Sequence, residues 1–161
     1  MSQTLPSGTA VLGPTPLERL RHAAEHLTEA LHAVNLPLLD DPSAVDAMMI
    51  LEHAGRAVDA ARVFSTTDIG RRAGRDPDEG LATKLGCTSS LDLITGITRI
   101  SRREARRRLK LGAQTADRES LARVLPPFFP AVADGLDSGD LGVDSAEVIV
   151  QGLKTVSPGV D

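Results

Sequence analysis

Tryptophan and tyrosine are absent from this chain of 161 residues, phenylalanine occurs three times, and a single cysteine, Cys87, stands alone. With so little aromatic bulk, a core must be built from Leu, Val, Ile, Ala and Met, a set that suits close-packed helices better than aromatic-rich sheets. A lone cysteine excludes an internal disulfide and a cysteine-rich zinc site. No run approaches the ~18 apolar residues that a membrane-spanning helix requires. No basic, apolar, small-residue signal sequence opens the chain, so a reducing cytoplasm is the expected compartment. A Walker loop, a dinucleotide fingerprint, an H-E-x-x-H zinc pair and a nucleophile elbow are all missing. Neither a cofactor nor catalysis by these residues alone is expected.

What is present is unevenly distributed. Apolar residues make up 41% and charged residues 25% of the chain, the balance of an ordinary globular protein. Its length is that of one domain, with a core burying roughly two thirds of the unfolded surface. From Arg99 to Lys110 there are seven bases and one acid, Glu104, a local balance of +6; the whole chain totals −4, so the remainder carries −10. A cationic element on an acidic body points to an anionic partner, or to the acidic remainder as the basic segment's own partner within the fold.

Residues 1–14 mix Ser, Thr, Gly and Pro without a period and read as a flexible N-terminal arm. Thr15-Pro16-Leu17-Glu18 then sets a cap, a first-turn proline and a capping-box carboxylate in register. Leu17, Leu20, Ala24, Leu27, Leu31 and Val34 follow at helical spacing, an apolar stripe that Asn35-Leu36-Pro37 ends. Asp41-Pro42 opens a second helix with Ala44, Ala47, Leu51, Ala54, Val58 and Ala61 as its stripe. Together they predict a long antiparallel helical hairpin over residues 15–64. The stripe also resembles a coiled-coil seam, so a homodimer through Leu17, Leu20, Leu27 and Leu31 is a second use of the same face.

Residues 65–88, with Gly70, Gly74, Gly80, Gly86 and Pro77, read as an extended connector containing a short helical turn. Regularity returns over 89–161. Ser89 and Asp92 open a helix whose buried side is Leu91, Ile94 and Ile97, and Ser101-Arg102-Arg103-Glu104 is a second capping box that restarts a helix after a very short corner. Residues 113–125 carry no clear signal, and Pro126-Pro127 forces a break. A short helix from Pro130 to about Asp137 ends at Gly139. A last one, Asp144 to Leu153, buries Ala146, Ile149, Val150 and Leu153. The expected fold is all-α: a helical hairpin, a helix-turn-helix-like corner and short closing helices, in one domain from residue 15 to 161.

On a helical wheel, residues 102–113 gather Ala105, Leu109, Gly112 and Ala113 on one side and Arg102, Arg103, Arg106, Arg107 and Lys110 on an adjoining arc. Helix, tight corner, basic amphipathic helix is the layout of a helix-turn-helix element, whose second helix offers its side chains to phosphates and base edges. Those five bases are the candidate nucleic-acid-binding residues. Asp134, Asp137, Asp140, Asp144 and Glu147 supply the competing reading, in which the bases are paired inside the fold or meet an acidic protein partner. Glu18, His22 and His26 lie one turn apart at a spacing that zinc accepts. They sit opposite the leucine stripe and lack a fourth ligand, so no metal site is expected.

The stretches SLDLITGITRISRREARRRLKLGA (90–113), FPAVADGLDSGDLGVDSAEVIVQGL (129–153) and SPGVD (157–161) resemble the actinobacterial 13E12 repeat family. The N-terminal helical region of that family is a domain of unknown function, number 222, and usually precedes an HNH endonuclease module. The S-R-R-E-A-R-R core from Ser101 to Arg107 and the P-A-V-A…G…L…A-x-V-I pattern from Pro130 to Ile149 carry the resemblance. The two helices before them match only in type. Many relatives have an aromatic residue where this chain has Asp92 to Thr95, and Ser or Thr where it has Gly142-Val143. The resemblance implies a non-catalytic domain that contacts and positions DNA for an HNH-type protein of mobile elements. In that family the His-Asn-His residues that hold a metal and activate water would follow after the position of Asp161; this sequence is without them and is expected to be the helical region alone. None of the matching positions is catalytic, so these residues alone are expected to cleave no DNA.

Overall fold

Thr15 opens the first helix through reciprocal contacts. Its hydroxyl accepts the Glu18 N–H at 3.2 Å, and the Glu18 carboxylate accepts from the Thr15 N–H at 2.6 Å and from the Thr15 hydroxyl at 2.8 Å. This capping box starts α1 (Pro16–Ala33) in the computed structural model, which describes residues 13–76, 79–120 and 123–156. A 3-10 turn, Leu36–Leu38, leads into α2 (Asp41–Gly74), and α3 (Leu81–Lys84), α4 (Ser90–Thr98) and α5 (Arg102–Thr115) follow. Strands β1 (Arg118–Ser120) and β2 (Arg123–Leu125) precede α6 (Pro130–Asp137) and α7 (Val143–Val156). Helix accounts for 74% of the described residues, which makes the class all-α. Most of the expected N-terminal arm, residues 1–12, lies outside the described residues, as do 157–161.

The chain divides into two compact units, Met1–Ala47 and Met48–Asp161. In the first, α1 contains no buried residue. Leu17, Leu20, Leu27 and Leu31, the stripe assigned to hairpin pairing, are all exposed.

Helix α2 extends through 65–74, the first ten residues of what the glycines suggest is an extended connector. The physical reason is packing. Thr66, Thr67 and Ala73 are buried on its second half, and a Cβ added at Gly70 would come within 2.7 Å of Leu109 Cδ2. Gly70 is therefore a point of close approach and not a helix breaker. The expected stripe on α2 is also displaced: Leu51 and Val58 are exposed, while Ala60 and Val63 are buried. The rest of the connector contains α3 as its short helical turn.

The core of the second unit joins Ala60 and Val63 of α2, Leu111 of α5, Val132 and Leu136 of α6, and Ala146 and Val150 of α7. A smaller cluster ties Ala73, Ala82 and Leu93 together, with Cys87 packed against it. Helix α5 runs through the centre and contacts α4, α6 and α7. It meets α2 where a Cβ on Gly112 would lie 1.8 Å from Thr67 Oγ1. The Thr67 hydroxyl donates to the Val63 carbonyl at 2.9 Å, so its burial leaves no donor unmet.

Several burial expectations shift by one position. Helix α4 buries Leu93 and Ile94, while Ile97 is exposed because the helix stops at Thr98. Arg99 turns the corner in the left-handed region, at φ 57° and ψ 23°. On α5, Leu111 is buried whereas Ala113 is exposed. Ile149 and Leu153 of α7 are exposed too, leaving Ala146 and Val150 as its buried side. Residues without a sequence signal form the β1–β2 ribbon, antiparallel with Arg118 opposite Leu125.

Candidate nucleic-acid interface

The α4–α5 corner is built from caps. The Ser89 hydroxyl accepts the Asp92 N–H at 3.1 Å and donates to the Asp92 carboxylate at 2.7 Å. Thr88 donates to the same carboxylate, and Arg102 forms an ion pair with it. The Thr88 and Ser89 hydroxyls, and after them the Arg102 charge, hold the Asp92 carboxyl below its ordinary range. At the next helix start, the Ser101 hydroxyl accepts the Glu104 N–H at 3.1 Å. The return half of that capping box is replaced: the Glu104 carboxylate takes Arg108 Nε at 2.8 Å and lies 3.7 Å from Arg107 Nη1.

The five candidate bases separate into two groups. Arg102 faces back to Asp92 on α4. Arg107 faces α7: both Glu147 oxygens accept from its Nε at 2.9 Å, and Asp144 pairs with its Nη2. Burial opposes the Arg107 charge, yet hydrogen bonds and attraction from Glu147 and Asp144 outweigh it and raise the guanidinium above its ordinary value. Arg103, Arg106 and Lys110 are exposed and carry no ion pair or side-chain hydrogen bond among the described residues. Their spacing of three and four places them on successive turns of one face. Among the described residues, Asp134, Asp137 and Asp140 form no ion pair with α5.

Beside this face runs a groove of about 480 Å³ between α5 and α7, lined by Arg103, Arg106 and Lys110 on one side and by Val150, Gln151 and Lys154 on the other. Gln114, one helical turn beyond Lys110, also lines it, and its Oε1 is buried without a hydrogen-bond partner. Gln114, Gln151 and Lys154 escape a reading confined to the corner. The periodic signal for Gln114 is its i+4 spacing from Lys110; nothing local marks Lys154, which reaches the groove only through the α5–α7 packing.

The remaining chemistry-bearing residues are engaged elsewhere or isolated. The Glu18 carboxylate is taken by Thr15, and His26 Nδ1 lies 3.6 Å from Glu29 at the exposed surface. Among the described residues, no group of three His, Cys, Asp or Glu side chains is placed to hold a metal ion. No helix among them is long and apolar enough to cross a membrane. Comparison with protein-family models, with curated proteins and with solved structures gives no match.

Proposed function

We propose that the chain is a cytoplasmic, non-catalytic module that contacts and positions DNA, of the kind found ahead of HNH nucleases in the 13E12 repeat proteins that its sequence resembles. The observation supporting this reading is the face of Arg103, Arg106 and Lys110, three exposed cations on consecutive turns that form no ion pair among the described residues. Arg102 and Arg107, bound to Asp92, Asp144 and Glu147, are structural in this reading. Salt titration of duplex binding is the test. Three phosphate contacts give a log–log slope of about −2.7, so raising salt from about 50 to 200 mM weakens binding about fortyfold; five contacts would give several hundredfold. Arg103→Ala with Arg106→Ala leaves the helix content unchanged and flattens the slope by about two units. Absence of binding at about 50 mM salt overturns the proposal.

A second reading, an interaction or dimerisation module, has its own observation in the exposed Leu17, Leu20, Leu27 and Leu31 of α1. A second copy of the chain would cover these leucines, and sedimentation at tens of micromolar then gives a dimer. A species of 17.0 kDa under those conditions rejects it.

A further inference from the structure

We infer that α1 is one half of an antiparallel coiled coil, its partner being α1 of a second copy of this chain. The inference rests on the dimerisation reading of the exposed leucines and adds the direction and register of pairing; it is independent of the DNA-contacting reading of α5.

Spacing sets the kind of contact. Leu17, Leu20, Ala24, Leu27, Leu31 and Val34 alternate steps of three and four residues, the 3.5-residue period of a left-handed coiled-coil seam. All six are exposed, and α1 buries no residue within its own chain. At 18 residues the helix is little longer than the ~12–15 at which isolated helices are marginal in water, so packing on this seam is the stabilisation left to it.

The flanks set the partner's charge. Arg21 and Thr28 border the seam on one side and Ala23 and Ala30 on the other, whereas the acids and histidines of α1 lie away from it. Antiparallel pairing with a second copy sets Arg21 beside Thr28 and Ala23 beside Ala30, so no like charges meet. A strongly charged partner would find only Arg21 to pair with.

Side-chain volume sets the direction. In a parallel pair each layer joins identical residues, and Ala24 opposite Ala24 leaves a void in the middle of the seam. Reversing one helix joins Leu17 to Val34, Leu20 to Leu31 and Ala24 to Leu27, then the same three pairs in reverse order, so every layer holds a leucine. Sliding the helices by one heptad leaves either Leu17 and Leu20 or Leu31 and Val34 without a layer, which fixes the register.

Directed disulfide formation in the full chain reads the direction. Cys87, the lone cysteine, is first replaced by Ser. A tagged chain with Leu17→Cys and an untagged chain with Val34→Cys are then mixed at tens of micromolar with oxidised glutathione. Antiparallel pairing brings the two thiols together and holds identical thiols about 25 Å apart, the length of the seam at 1.5 Å per residue. A disulfide requires Cα atoms within about 7 Å, so the mixed disulfide is expected in an excess on the order of tenfold over either homodisulfide. The next layer inward, Leu20→Cys with Leu31→Cys, is expected to repeat the result. Excess of homodisulfides at either layer, or a statistical mixture, overturns the antiparallel pair and leaves the dimerisation reading standing. Equal cross-linking between chains carrying Glu29→Cys, on the face opposite the seam, also overturns it, as does a trimer or larger species on sedimentation. A wild-type chain that sediments as 17.0 kDa at tens of micromolar removes the dimerisation reading itself.

Discussion

A Cβ placed on Gly112 would sit 1.8 Å from Thr67 Oγ1, so this position tolerates no side chain unless α2 or α5 moves. Gly112→Ala is expected to lower stability by about 2–3 kcal/mol. Removing the opposing hydroxyl and methyl with Thr67→Ala should recover part of that loss in urea denaturation; no recovery would mean that the contact is not its cause. Asp92 gives a pH-dependent counterpart. Its native pKa lies below the unfolded value of about 3.9, so its stabilisation is complete above that value and is lost as pH falls through the lower native one. Asp92→Asn should therefore reduce the decline in unfolding midpoint between about pH 5 and 3. At this scale the sequence was most legible where the chemistry is local. Thr15, Ser89 and Ser101 cap as their spacing indicates, since a cap needs only three residues in register. Gly70 and Gly112 were opaque: a glycine facing a neighbouring helix and a glycine ending one look alike until the neighbour is known.

Between helices, the decisive contact is Arg107 with Glu147 and Asp144, which links α5 to α7 and draws one cation out of the basic face. Glu147→Gln weakens that link at a cost of about 0.5–1 kcal/mol. By removing one of the three acids that face Arg107 it should also raise duplex affinity and steepen the salt slope; chemical denaturation and anisotropy on one preparation check both signs. The wheel puts Arg102, Arg103, Arg106, Arg107 and Lys110 on one arc. It could not divide that arc, because which bases face Asp92 or Glu147 depends on packing between segments 10 and 40 residues apart. Helix starts at 16, 90, 102 and 130 were readable, and the end of α2 was not, because burial of Thr66, Thr67 and Ala73 overrides two glycines of low helical propensity. The three-residue strands are too short for an alternating pattern to register.

For the molecule as a whole, composition was enough to announce helices, since a chain without Trp or Tyr has little from which to build a sheet core. The division between the two units, after Ala47, falls inside the continuous helix α2. That helix has a further consequence. All buried residues of α2 lie from Ala60 onward, while Met48, Met49, Ile50 and Leu51 are exposed. Its backbone hydrogen bonds are alike along its length, but their protection is not, because opening an unburied turn exposes no core. In deuterated water the amides of residues 48–58 should exchange by local fraying, orders of magnitude faster than those of 60–73, which await opening of the second unit's core. One uninterrupted helix would then show two exchange regimes, with the step near Ala60.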